Sequence, residues 1–196
     1  MKLSLSIFTL SLLTLFFRGS VFSADWNKGV AAYQAEDYAT ALNEFFPLAD
    51  QGHTHAQFNL GVMYRGGIGV PQNNDMAVMW YTLAAKRGLA RAQSLLGSMY
   101  REGKSVTQDN KIAIKWYTLA AEQGDVDALY YLGVMHKRGI FQDYTYAYMW
   151  WDIAASSGDK MSAKNRDIIV GKMTLSQIKK AQNLVKQCVE KKYKGC

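Results

Sequence analysis

The chain has 196 residues and a formal net charge of +7, and its composition is 49% hydrophobic with only two cysteines. This length allows one domain with a continuous core, and two cysteines without a nearby histidine exclude a four-ligand zinc site. Most of the net positive charge lies at the C-terminal end, because residues 159–196 carry +7, whereas residues 1–24 carry +2 and residues 25–158 carry −2.

Residues 1–23 have the features of a secretory signal peptide. Lys2 precedes an almost wholly apolar run from Leu3 to Phe17, and small residues around Ser23 and Ala24 offer a cleavage position. The apolar run is shorter than the roughly 20 residues that a membrane-spanning helix needs. We therefore expect cleavage near 23/24 and a periplasmic or secreted protein, and a retained membrane anchor is the alternative.

Helical hairpins are predicted for most of the remaining chain. Residues 24–52 are expected to form a variant hairpin that lacks a glycine-rich loop between its helices. Three similar repeats follow at about 53–88, 89–124 and 125–158. In each repeat, apolar residues at helical spacing predict two helices. Glycines between them disfavour helix and predict a loop.

Two motifs recur in these repeats at an interval of 36 residues. The segment Leu60–Tyr64 returns at Leu96–Tyr100 and again at Leu132–His136. The pair Trp80-Tyr81 returns as Trp116-Tyr117 and then, 34 residues later, as Trp150-Trp151. An interval of this size is typical of a solenoid, in which each unit buries its apolar face against its neighbours. Comparison of the last two repeats places the missing two residues in the loop around residues 139–143.

Residues 159–196 are predicted to form a C-terminal helical cap with a basic tail. Thr174 and Gln177 have the spacing of a capping box ahead of the final helix. In an exported protein, Cys188 and Cys196 are expected to form a disulfide, and free or intermolecular thiols are the alternative. Two explanations stay open for the lysines of residues 172–194, namely a solvated helix face and contact with an anionic surface.

The repeated motifs resemble the Sel-one-like repeat family, a branch of the TPR-like α-solenoids. The resemblance covers about residues 26–158 and includes Leu-Gly-x-Met-Tyr, the glycine-rich loop and Trp-Tyr-x-x-Ala-Ala. It implies an all-α, right-handed solenoid of helix-turn-helix repeats and an adaptor-like protein that organises complexes. Cysteine-rich relatives described as penicillin-binding or β-lactamase-like carry a cysteine pair in each repeat, which this chain lacks.

No sequence pattern indicates catalysis, a metal site or a cofactor. His53 and His55 flank a predicted helix start and do not share a helix face, and His136 stands where the other repeats have tyrosine. The glycines of residues 66–69 follow a helix and lack the Gly-Lys-Ser/Thr ending of a phosphate loop. We therefore predict a protein without enzymatic activity, and an envelope hydrolase of the β-lactamase or penicillin-binding type is the alternative.

Candidate partner-binding residues lie on the first helix of each repeat, because these helices commonly line the groove of such solenoids. Arg65, Arg101 and Lys137 recur at the ends of these helices. There they either stabilise the helix C-terminus or form a basic stripe for an acidic partner. The other candidates are side chains expected to be exposed and unrepeated: Gln57, Asn59, Arg91, Gln93, Ser94, Tyr130 and Tyr131.

The sequence therefore predicts a non-enzymatic scaffold or adaptor of the bacterial envelope, or a secreted one, that binds another protein along the solenoid groove. Nucleic acid is not an expected target after export. A peripheral binder of anionic membranes or polymers, acting through the lysines of residues 172–194, is the second alternative.

Overall fold

The computed structural model describes residues 24–138 and 143–196. The predicted signal peptide and residues 139–142, in the predicted loop of the third repeat, lie outside the described residues. Within the described ranges the chain forms ten α-helices and no strand: α1 (Trp26–Gln34), α2 (Tyr38–Asp50), α3 (Thr54–Gly66), α4 (Asn74–Lys86), α5 (Ala90–Glu102), α6 (Asn110–Ala121), α7 (Val126–Arg138), α8 (Tyr144–Ser156), α9 (Lys160–Val170) and α10 (Leu175–Glu190). None of them combines the length and the apolar character that crossing a bilayer requires.

The helices stack in chain order, and each helix from α1 to α9 packs on its neighbours in sequence. We call α1, α3, α5, α7 and α9 the first helices, and α2, α4, α6 and α8 the second helices. Several hydrophobic clusters follow one another along the stack in place of a single central core. This arrangement confirms the predicted solenoid of helix-turn-helix repeats.

The glycine of each Leu-Gly pair allows an aromatic ring of the second helix to lie against the backbone of the first. A Cβ atom added at these glycines would lie far inside van der Waals contact with the ring: Gly61–Tyr81 (2.6 Å), Gly97–Tyr117 (2.7 Å) and Gly133–Trp151 (2.4 Å). The variant hairpin has the same packing, because a Cβ at Gly29 would lie 2.7 Å from the ring of Phe45. Its shorter loop therefore leaves the helix contact of the repeats intact.

The regular stack ends at α9, where two residues depart from the repeat. Arg166 and Asp167 stand where the preceding first helix has Leu132 and Gly133, 34 residues earlier. Arg166 Nη1 donates to Asp152 Oδ1 on α8 at 2.7 Å. Because α9 lacks the glycine on which a following aromatic ring would pack, α10 does not occupy the position of a second helix and packs mainly on α8.

The helix α10 begins with the predicted capping box of Thr174 and Gln177 and covers the outside of α8. Met149 on α8 is only 1% exposed, beside Cys188 of α10 in the same cluster. The corresponding side chain of α4, Met79, is 41% exposed because no helix covers it. The cap thus covers one second helix and leaves the outer face of the others accessible.

The tail after α10 is held by a disulfide and by a hydrogen bond to α6. The predicted disulfide joins Cys188 to Cys196 within the chain, and their Cα atoms lie 5.4 Å apart. The backbone N–H of Gly195 donates to Glu122 Oε1 at the end of α6, at 3.0 Å. The tail therefore spans the outside of the stack from α8 to α6.

Candidate protein-binding surface

A series of depressions lies between neighbouring first helices, and we call their combined lining the inner surface. One depression of about 560 Å³ lies between α3 and α5 and is lined in part by Arg65, Leu95 and Ser98. The next along the stack includes Arg101 and residues of α7, and two more lie between α7 and α9. The first helices thus present a surface with recesses, and binding of a partner along it stays a prediction.

The three residues of the predicted basic stripe are half-buried or exposed, and each lies against an aromatic ring. The distances from the charged group to the ring centre are Arg65 Cζ–Tyr81 5.9 Å, Arg101 Cζ–Tyr131 4.5 Å and Lys137 Nζ–Trp151 5.6 Å. At these distances a cation is attracted to the ring face, and the last turn of a helix favours positive charge. The contact with the ring and the interaction with the helix C-terminus both give these residues a structural role. Partner binding by the basic stripe stays a prediction.

Arg101 lies at the centre of a cluster that brings three predicted site residues together. Its Nε donates to the hydroxyl of Tyr117 at 3.3 Å, and that hydroxyl donates to Ser98 Oγ at 3.1 Å. The ring of Tyr131 stacks on that of Tyr117 at 5.4 Å, and Tyr130 meets Tyr131 edge-on at 5.2 Å. Burial raises the pKa of Tyr117, so the hydroxyl stays protonated and able to donate.

A carboxylate interrupts the basic stripe in the second repeat. Glu102 pairs with Arg101 and accepts from Lys104 Nζ at 2.7 Å. The hydrogen bond from Lys104 lowers the pKa of Glu102, because it stabilises the charged form. The positive charge on this part of the inner surface is therefore partly neutralised within the chain.

Gln57 and Gln93 were predicted to be exposed and unrepeated, and both predictions are wrong. The side chains are 3% and 4% exposed. Gln57 Nε2 donates to the carbonyl of Ala49, and Gln93 Nε2 to that of Ala85, each at 3.0 Å. Because the two glutamines are 36 residues apart, they are repeated positions. Each one links its first helix to the end of the preceding second helix by a hydrogen bond.

Ser94 is also buried, contrary to the prediction, because it faces the turn that precedes α7. Its hydroxyl hydrogen-bonds the carboxyl of Asp125, which accepts from the backbone N–H of Ala128 at 2.9 Å. Burial raises the pKa of Asp125, and the hydrogen bonds oppose that shift. The remaining candidates are accessible, since Asn59 is half-buried and Arg91 is exposed.

Two lining residues of the inner surface were missed at the sequence level. Arg138 lines the depressions on both sides of α7, and Asn165 lines the one between α7 and α9. If the 34-residue spacing of the last repeat is continued beyond residue 158, Asn165 has the same position in α9 as Asn59 has in α3. Treating α9 as a further first helix would have identified it.

The histidines serve the packing of the helices. His53 Nδ1 accepts from the backbone N–H of Ala56 at 3.2 Å and so caps α3, while its ring stacks on Trp26 at 4.7 Å. Nowhere in residues 24–138 and 143–196 do three potential metal-binding side chains come together.

Acid is expected to destabilise the third repeat through His136. Burial lowers the pKa of His136 below its usual 6.5, and the charge of Asp143 only partly opposes this. The unfolded chain therefore binds a proton at this side chain more readily than the folded chain does. The contribution of His136 to the free energy of unfolding is present above about pH 6.5 and is lost as the pH falls toward the folded-state pKa. The ring stacks on Tyr146 at 5.3 Å, so His136→Tyr, which installs the side chain of the other repeats, keeps that contact.

Urea unfolding at about pH 7 and about pH 5 measures this effect. We expect the free energy of unfolding of the His136→Tyr protein to fall less between the two pH values than that of the unaltered chain. His55→Tyr, at an exposed position, is the control. An equal fall in all three proteins would show that His136 is not responsible.

Comparison with known proteins places the repeats in a family. The family model described as Sel1 repeat matches residues 54–89, 90–125 and 126–159. The chain is similar to a protective antigen with an SLR fold from uropathogenic Escherichia coli strains, at 36% identity and a TM-score of 0.71 over 74% of this chain. It is also similar to a Sel1 repeat protein from Oxalobacter formigenes, at 31% identity and a TM-score of 0.69 over 74% of this chain.

The chain spans only 32% of the length of the first of these structures and 60% of the second. No curated protein matches it. The matched repeats nevertheless account for more than half of the sequence, and they coincide with the hairpins α3–α4, α5–α6 and α7–α8. The chain therefore belongs to the Sel1 repeat family.

Proposed function

We propose that this protein is a non-enzymatic scaffold, exported to the bacterial envelope or secreted, that binds another protein along its inner surface. Sel1 repeat proteins are generally protein-interaction scaffolds. The observation that carries the proposal for this chain is the run of recesses between first helices, lined by unrepeated side chains such as Tyr130. Tyrosine and arginine are common anchors of protein interfaces.

Two observations support export. Residues 1–23 have the order of charge, apolar run and small residues that signal peptides share. The disulfide between Cys188 and Cys196 is of a kind that persists in oxidising compartments. N-terminal sequencing of the protein recovered from cell fractions tests the proposal, and a chain that begins near Ala24 in the periplasm or medium is the expected result.

The inner surface suits a partner better than the outer surface, which the second helices form. On the outer surface, α10 and the tail already cover α8 and reach the end of α6. The remaining exposed apolar side chains there, Met79, Leu83 and Leu119, are 41%, 38% and 44% exposed. Single side chains of this exposure are normal on protein surfaces. The outer surface has a recess of about 220 Å³ between α8 and α10, whereas the inner surface has several recesses that follow one another along the stack.

A photoreactive amino acid placed on either face distinguishes the two surfaces. We expect ultraviolet light to join a partner covalently to the protein when the reactive side chain replaces Asn59, Arg91 or Tyr130 on the inner surface. The matched outer positions are Leu83, Lys115 and Leu119. Arg91, Leu83, Lys115 and Leu119 are exposed, and Asn59 and Tyr130 are half-buried. Circular dichroism of each variant checks that it is folded. Adducts that form from the outer positions alone would rule out binding along the inner surface.

A further inference from the structure

The inner surface carries opposite charges at the two ends of the cleft between α7 and α9. Two depressions lie in this cleft, and the side chain of Tyr130 lines both. One is flanked by cations near the C-terminal end of α7, and the other by carboxylates near the N-terminal ends of α7 and α9. This separation of charge is absent from the depression between α3 and α5, where Glu102 and Lys104 lie side by side.

The cationic depression has a volume of about 100 Å³ and includes Lys137, Arg138 and Asn165. No carboxylate lines it. Among the salt bridges of the described residues, none involves Lys137 or Arg138. Two neighbouring cations with a shared amide donor, held without a counter-charge, favour a bound carboxylate.

The second depression has a volume of about 240 Å³ and combines apolar and acidic residues. Val126, Tyr131 and Met161 supply its apolar wall, and Asp127 and Asp159 flank it. Asp159 Oδ2 accepts from the backbone N–H of Ser162 at 2.8 Å and so caps α9, while Asp127 is exposed and has no salt bridge to any described residue. This end suits the aliphatic stem and the charge of a lysine or arginine.

The separation of the two ends corresponds to a short extended peptide. Asp127 and Lys137 are ten residues apart on α7, which is about 15 Å along the helix axis. In an extended chain, side chains on one face lie at even spacing, and a spacing of four residues covers about 13 Å, which long charged side chains can extend to this distance. Between the ends, Tyr130 and Val134 offer half-buried apolar surface.

The wall between the two depressions is held in place before any ligand arrives. Trp151 Nε1 donates to the backbone carbonyl of Tyr130 at 3.0 Å, and the ring of Tyr130 meets that of Tyr131 edge-on. A surface that is already ordered loses less conformational entropy on binding.

We propose that the cleft between α7 and α9 binds an extended segment of a partner protein that carries one acidic and one basic side chain, about four residues apart, with an apolar side chain midway between them on the same face. The acidic side chain meets Lys137 and Arg138, the apolar one meets Tyr130, and the basic one meets Asp127 and Asp159. This inference rests on the proposed scaffold function. A wholly acidic segment would be repelled at one end and a wholly basic segment at the other, which gives the cleft its selectivity.

Capped synthetic peptides of about nine residues test this chemistry. The probe peptides contain glutamate and lysine about four positions apart with leucine midway between them, in both chain directions. The comparison peptides are wholly acidic, wholly basic or uncharged. Backbone amide signals in NMR spectra report where each peptide binds. We expect one of the two mixed-charge peptides to shift the signals of α7 and α9, and to bind at least about five-fold more tightly than the comparison peptides.

Charge reversal sharpens the test. Lys137→Glu with Arg138→Glu should weaken binding of the mixed-charge peptide about five-fold or more and should create binding of the wholly basic peptide, a gain that misfolding does not produce. Lys111→Glu with Lys115→Glu on α6 makes the same change in net charge and should alter neither. Equal binding by the wholly acidic peptide, or no shift in α7 and α9 with either mixed-charge peptide, overturns the inference. If crosslinking from Tyr130 still captures a partner in that case, the scaffold function stands and only its proposed ligand chemistry is wrong.

Discussion

Replacing Gly97 with alanine is expected to lower the free energy of unfolding by about 1–3 kcal/mol, the usual range for overpacking a well-ordered core. The added Cβ would lie 2.7 Å from the ring of Tyr117. That ring has little room to move, because its hydroxyl is held by Arg101 and Ser98 and its face by Tyr131. The expected loss therefore includes the distortion of the cluster at the centre of the inner surface.

Urea unfolding followed by circular dichroism measures the change. Gly66→Ala is the control, since the new methyl group would approach only the flexible end of Ile68, at 3.0 Å. Alanine also has the higher helix propensity, so the control should lie within about 0.5 kcal/mol of the unaltered protein. A loss for Gly97→Ala no larger than that for Gly66→Ala would refute the close-packing argument.

Removing the disulfide is expected to destabilise the protein by about 2.5 kcal/mol, because the bond closes a loop of about nine residues in the unfolded chain. Cys188→Ser with Cys196→Ser removes it without leaving a free thiol. The tail that carries Cys196 would then be held mainly by the bond from Gly195 to Glu122. Hydrogen exchange should accordingly rise in residues 191–196 and in the part of α8 that α10 covers.

Reduction provides the matching control for that experiment. A reductant should lower the stability of the unaltered protein by an amount similar to the double substitution, and it should have no effect on the doubly substituted protein. Equal stability of the oxidised and reduced forms would indicate that the packing of α10 on α8 suffices to hold the cap.

The repeat architecture could be predicted from sequence because a solenoid depends on contacts between residues that recur. The Leu-Gly and Trp-Tyr motifs reveal both the helices and the faces that pack, since glycine at one helix and an aromatic residue at the next form a single contact. The position of α10 could not be predicted in the same way. Its amphipathic pattern shows which face is buried, but it does not show that the face packs on α8.

The candidate site was harder to predict than the fold, because exposure depends on how consecutive hairpins are joined. Gln57 and Gln93 look like surface residues from their polarity alone, yet each meets a backbone carbonyl of the preceding repeat. Their 36-residue spacing was the available signal for a structural role. Arg138 and Asn165 carry no motif, and only the packing of α7 beside α9 brings them together.

Arg166 and Asp167 also mark where a further hairpin of the same kind cannot be added. A first helix that ended the array with an exposed Leu-Gly pair would offer a vacant place for the aromatic ring of a following second helix. The charged pair removes the place for the ring, because an ionised side chain there would have to be buried. Two residues of α9 thus end the pattern of glycine and aromatic ring, and α10 packs on α8 instead of continuing the stack.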